Sequence, residues 1–79
     1  MSINTTISEI KDALETAPRN AYVAELHLQI IKHYEDLGAI TGKEFCEALG
    51  IGPSFGTEFS KMRKIAPRLK LAGLDLGKI

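Results

Sequence analysis

Seventy-nine residues make one domain and leave no room for a second fold or a large cofactor pocket. With 44% hydrophobic and 25% charged residues, the composition excludes a disordered chain and fits a soluble globular one, short enough that a partner or a second copy would add to its stability. Ten Lys and Arg balance ten Asp and Glu, but residues 1–40 carry three basic against six acidic side chains and residues 41–79 carry seven against four, so the second half has the excess of positive charge that suits an anionic partner.

Cys46 is the single cysteine, which rules out an internal disulfide and a cysteine-cage metal site and is consistent with a reducing compartment. The first residues show no basic region followed by an apolar core, and no uncharged apolar run approaches the ~18 residues of a membrane span. The expectation is a cytoplasmic protein that does not enter the membrane.

Ile3, Ile7, Ile10 and Leu14 recur at spacings of four, three and four, with Glu9, Asp12 and Glu15 on the other side. This predicts an amphipathic helix starting at Thr5 or Thr6, with Ser8 as a competing cap, and stopping near Ala17 ahead of Pro18. Asn20 is placed to cap a longer helix running to about Leu37 and closed by a left-handed Gly38. In that helix Val23, Leu26, Ile30, Tyr34 and Leu37 form one apolar stripe, and Ala24, Leu28 and Ile31 form a second beside it. A helix apolar around most of its circumference is covered from two directions, which makes it the central helix of the bundle, a dimer seam, or both. The candidate dimer residues are Tyr22, Ala24, Leu28 and Ile31.

Thr41 to Leu49 reads as a short helix with Phe45, Ala48 and Leu49 inward and Gly50 ending it. Ile51-Gly52-Pro53-Ser54 then forms a compact turn in which Ser54 can cap the next helix. Phe55, Phe59, Met62, Ala66 and Leu69 mark the inner face of that helix, and Pro67 predicts a kink or break near Ala66 and a short final helix to about Ala72, closed by Gly73. The tail carries Leu74, Leu76 and Ile79, which can dock back on the core. No strand pattern and no repeat is visible. The expected architecture is all-α, a compact four- to five-helix bundle in a single domain over 1–79: an N-terminal helical hairpin at 1–38, a helix-turn-helix at 41–66, and a short helix and tail at 67–79.

The segment from Gly42 to about Lys64 has the organisation of a helix-turn-helix: a short helix, a glycine-containing corner plugged by Ile51, and a second helix with a basic outer face. Opposite its apolar side lie Thr57, Ser60, Lys61, Lys64 and Arg68, with Arg63 and Lys70 nearer the flanks. In a duplex DNA complex, Thr57, Ser60, Lys61 and Lys64 take base-edge positions, and Arg68, Lys70, Lys43 and Arg63 take phosphates. Backbone N–H groups near Phe55 to Thr57 add an anion site at the helix start, and Glu58 is a discordant charge there, able to accept from a cytosine. The same scaffold also serves as a protein-interaction module or as an accessory subunit of a larger assembly, with the basic face meeting an acidic surface.

The run from Phe45 to Met62 (FCEALGIGPSFGTEFSKM), with the later Ala72-Gly73-Leu74-Asp75, resembles small bacterial proteins described as helix-turn-helix-like domains. The resemblance spans nearly the whole chain when Ala17-Pro18-Arg19-Asn20 is included, and it implies a DNA-binding or transcription-regulatory role.

Other chemistries find little support. Gly50, Gly52 and Gly56 around Pro53 lack the preceding strand and the Gly-Lys-Ser/Thr ending of a nucleotide loop. His27 and His33, six apart, point ~240° apart on a helix and do not share a metal as an i, i+4 pair does. Cys46 lacks an evident base and reads as a small buried residue, and Glu44 and Glu47 as a surface pair. The expectation is a non-enzymatic homodimer without metal or cofactor.

Overall fold

The computed structural model describes residues 3–79, which fold into five α-helices joined by 3-10 turns, with no strand among the described residues. The helices are α1 (Ile3–Thr16), α2 (Tyr22–Lys32), α3 (Tyr34–Leu37), α4 (Gly42–Leu49) and α5 (Gly56–Leu71). The chain is all-α as the periodicity predicts. No helix among the described residues is long and apolar enough to cross a membrane.

The core forms where the apolar stripes converge. Ile10 and Leu14 of α1, Leu26 and Ile30 of α2, Leu37 of α3, Phe45, Cys46 and Leu49 of α4, and Phe59 of α5 make one buried cluster. Phe45 and Phe59 meet within it, ring centroids 4.7 Å apart and planes tilted by 38°. Burial of such side chains, at about 25 cal/mol per Å² of apolar surface, is the main force holding so short a chain together. The central helix is α2, which packs against both α1 and α5.

Several local expectations need correction. Thr5 and Thr6 do not cap α1. Both lie inside it, where Thr6 is fully buried and its hydroxyl donates to Asp36 Oδ2 at 3.3 Å, and the residue before Ile3 lies outside the described residues. The long second helix is divided: Arg19–Ala21 is a 3-10 turn and not a capped start, and His33 (φ −105°, ψ 19°) breaks the helix after Lys32. The break lets α3 turn so that Leu37 is fully buried while α3 packs on α1 and α5. Tertiary packing here overrides a run with no Gly or Pro to mark a stop. Gly38 keeps right-handed geometry (φ −61°), because the chain continues into a tight turn in which its N–H and those of Ala39 and Ile40 reach back to α3 carbonyls.

In α4 the inward position falls to Cys46, and Ala48 is exposed. The helix α5 runs unbroken through Pro67 to Leu71, so no separate final helix exists. Pro67 removes one backbone donor, but its ring sits on the exposed side, and the turns around it are anchored by the fully buried Ala66 and by an ion pair from Lys70 to Glu35. Two positive-φ glycines end the two helices: with Gly50 (φ 70°), Ile51 N–H reaches Cys46 O, and with Gly73 (φ 110°), Leu74 N–H reaches Leu69 O. The tail turns back in a 3-10 turn at Leu76–Lys78 that packs on α2.

Candidate nucleic-acid interface

The local sequence fixes α4 at both ends. Thr41 accepts from Glu44 N–H at 3.1 Å, and Glu44 Oε1 accepts from Thr41 N–H at 2.9 Å, a reciprocal cap that fixes where the helix begins. Gly50 ends it, and Ile51 packs against the core as the plug of the corner. The corner then continues through a 3-10 turn at Pro53–Phe55 into α5.

Close approach of the two helix starts sets the geometry of the pair. A Cβ on Gly42 would stand 3.3 Å from both the Cα and the carbonyl oxygen of Gly56, so a side chain at Gly42 would force the first turns of α4 and α5 apart. The first turn of α5 is also tied to α2: His27 Nε2 lies 2.8 Å from Glu58 Oε2, and Tyr22 meets Phe55 edge-on at 6.3 Å. With Phe59 and Ala66 buried and Phe55, Met62 and Leu69 partly so, the predicted inner face of α5 is the one the fold covers.

On the outer side Thr57, Ser60, Lys61, Lys64 and Arg68 are all exposed, and Lys43 is exposed at the start of α4. Among the described residues, Lys43, Lys61, Lys64 and Arg68 have no ion-pair partner. The arrangement presents a row of unneutralised cations with two hydroxyls along one exposed helix face.

Two other basic residues are engaged within the fold. The Arg63 guanidinium lies over the Phe59 ring at 5.3 Å, with its Nε buried and its Nη2 close to Gly38 after α3. Lys70 Nζ donates to Glu35 Oε1 at 2.7 Å, and that hydrogen bond, with the carboxylate charge, raises the ammonium pKa. Two further expectations meet the same fate. Glu58 is engaged by His27, and the N–H groups of Phe55 and Gly56 reach Gly52 O and Pro53 O, so the start of α5 offers a poorer anion site than a bare helix terminus. Ser54 makes no cap bond to α5, since that turn already supplies the carbonyls.

The candidate dimer residues separate in the same way. Ile31 is buried within its own chain and Tyr22 is partly covered by Phe55 and the core, whereas Ala24 and Leu28 are exposed, beside an exposed Val23. His33 is buried too, and desolvation lowers its pKa against the opposing pull of Glu9, 3.6 Å away. Burial pushes the Cys46 thiol up, which keeps it protonated and unreactive. No group of three or more His, Cys, Asp or Glu among the described residues is placed to hold a metal ion.

The close contact at Gly42 and the engagement of Arg63 and Lys70 do not follow from helical period. Ile65 is 44% exposed between Lys64 and Arg68, and its i, i+4 relation to Leu69 is the one sign of this in the sequence. No curated protein and no solved structure matches the chain. A family model described as an HTH-like domain matches residues 2–72, and the chain, with its two helices joined by a glycine corner, belongs to the HTH-like domain family.

Proposed function

We propose that the protein binds duplex DNA and regulates transcription, with α5 inserted in the major groove. The observation that carries this reading is the row Lys61, Lys64 and Arg68, exposed and unpaired beside Thr57 and Ser60 on the second helix of the pair. Thr57, Ser60, Lys61 and Lys64 take base edges, and Arg68 and Lys43 take phosphates. Arg63 and Lys70 support the helix from behind. A second copy, paired through Ala24 and Leu28 of α2, doubles a contact set that is small for one short helix.

Fluorescence anisotropy of a labelled random duplex pool, titrated at several salt concentrations, tests the reading. If each protomer neutralises about two phosphates, through Arg68 and Lys43, log affinity falls against log salt with a slope of about −3.6 for a dimer and about half that for a monomer. Replacing Lys61, Lys64 and Arg68 together with alanine abolishes the binding while the melting temperature holds. A slope near zero sinks the proposal.

A further inference from the structure

The outer face of α5 carries more than charge. Along one edge of its basic row, a shallow groove of about 430 Å³ is lined by Ile65, Leu69 and Ala72, with Lys64 and Arg68 as its rim. Ile65, Leu69 and Ala72 stand at i, i+4 and i+7, the spacing with which one helix receives the side chains of another. Lys61 extends the rim one turn toward the helix start. The single carboxylate of this helix, Glu58, is turned to His27 and does not neutralise the rim.

A phosphate backbone gains nothing from an apolar groove, and a second copy fits it poorly. Two α5 helices laid together in a symmetric pair bring Lys61, Lys64 and Arg68 against their own counterparts. The acidic outer side of α1, with Glu9, Asp12 and Glu15, has the complementary charge but none of the exposed large hydrophobic side chains. The complementary surface is therefore a helix with an apolar stripe and acidic residues beside it. We propose that this groove is the docking site of a protein partner that presents an acidic amphipathic helix, its apolar residues on Ile65, Leu69 and Ala72 and its carboxylates on Lys61, Lys64 and Arg68. The docking stands by itself. Its consequence, that this partner and DNA exclude one another because both use Lys64 and Arg68, rests on the DNA reading above.

The test uses the full chain and a labelled amphipathic peptide of roughly 18 residues, Leu at i, i+3, i+4 and i+7 and Glu along one edge, with a scrambled peptide of the same composition. Binding of the patterned peptide at least about tenfold tighter than the scrambled one is expected, with a similar loss in Ile65→Ser, a change at an exposed position whose folding is checked by thermal melting. DNA affinity of Ile65→Ser stays within about twofold of the parent, and the patterned peptide displaces DNA. Equal binding of the two peptides, or no effect of Ile65→Ser, overturns the proposal. Ile65-dependent self-association in sedimentation that excludes the peptide also overturns it, in favour of a second copy. DNA binding without peptide binding overturns the docking and leaves the DNA reading intact; patterned, Ile65-dependent peptide binding without DNA binding does the reverse.

Discussion

Gly42 and Gly56 meet where α4 and α5 begin, and the contact is asymmetric. A Cβ on Gly42 stands 3.3 Å from backbone atoms of Gly56, whereas a Cβ on Gly56 stands 3.9 Å from the nearest atom of Gly42. Gly42→Ala must push rigid backbone aside and is expected to cost about 1–3 kcal/mol, as overpacking does. Gly56→Ala makes an ordinary contact in right-handed geometry and is expected to stabilise by about 0.4–1 kcal/mol by restricting the unfolded chain. Urea denaturation of both variants checks the pair; equal effects in the same direction contradict the packing described.

Arg63 and Lys64 are sequence neighbours with opposite tasks. Arg63→Ala removes the cation from the Phe59 ring and is expected to lower stability by about 1 kcal/mol while leaving DNA affinity nearly unchanged. Lys64→Ala should leave the melting temperature alone and cost about 1–3 kcal/mol of DNA affinity, as loss of a base-edge contact does. Denaturation and anisotropy on the same two proteins separate the roles, and a larger DNA defect in Arg63→Ala than in Lys64→Ala would reverse the assignment.

His33 makes stability depend on pH. Its folded-state pKa lies below the ordinary 6.5, first because burial disfavours the imidazolium and then because of Lys32, while Glu9 and Asp36 pull the other way. The folded state binds fewer protons than the unfolded one, so its stability is fully present above about pH 6.5 and falls as pH drops from there toward the folded-state pKa. Replacement by Gln, neutral at every pH, should flatten that part of the profile. A melting temperature constant from pH 7.5 to 5 in the parent protein excludes this account.

Thr41 is predicted to matter beyond its size. Thr41→Ala breaks the reciprocal cap with Glu44 and is expected to cost about 1 kcal/mol, with amide exchange rising first in α4. Unchanged exchange at Phe45 and Cys46 would show that packing alone holds the helix start.

The all-α class, the apolar face of α1, the inner face of α5 and its exposed basic residues were legible because each depends on helical period alone. The break at His33 and the continuity of α5 through Pro67 were not, since each is decided by what the neighbouring helices cover: the burial of Leu37 in one case, the anchoring at Ala66 and Lys70 in the other. At the candidate site the sequence identified which cations face outward. It did not identify which are occupied, because the partners of Arg63 and Lys70, Phe59 and Glu35, are brought to them by folding.

The charges of a molecule whose total is zero are divided between two helices that both pack on α2. Glu9, Asp12 and Glu15 lie exposed on α1 and Lys61, Lys64 and Arg68 exposed on α5, so with zero net charge the interaction of these two helices with a polyanion is that of a dipole and not of a monopole. Attraction between a dipole and a polyanion decays faster with distance than that between net charges, and it acts as a torque that turns α5 toward the polymer and α1 away from it. Such a molecule gains little long-range pull toward DNA but arrives already oriented, so the salt sensitivity of a complex would reside in its dissociation rate more than in its association rate.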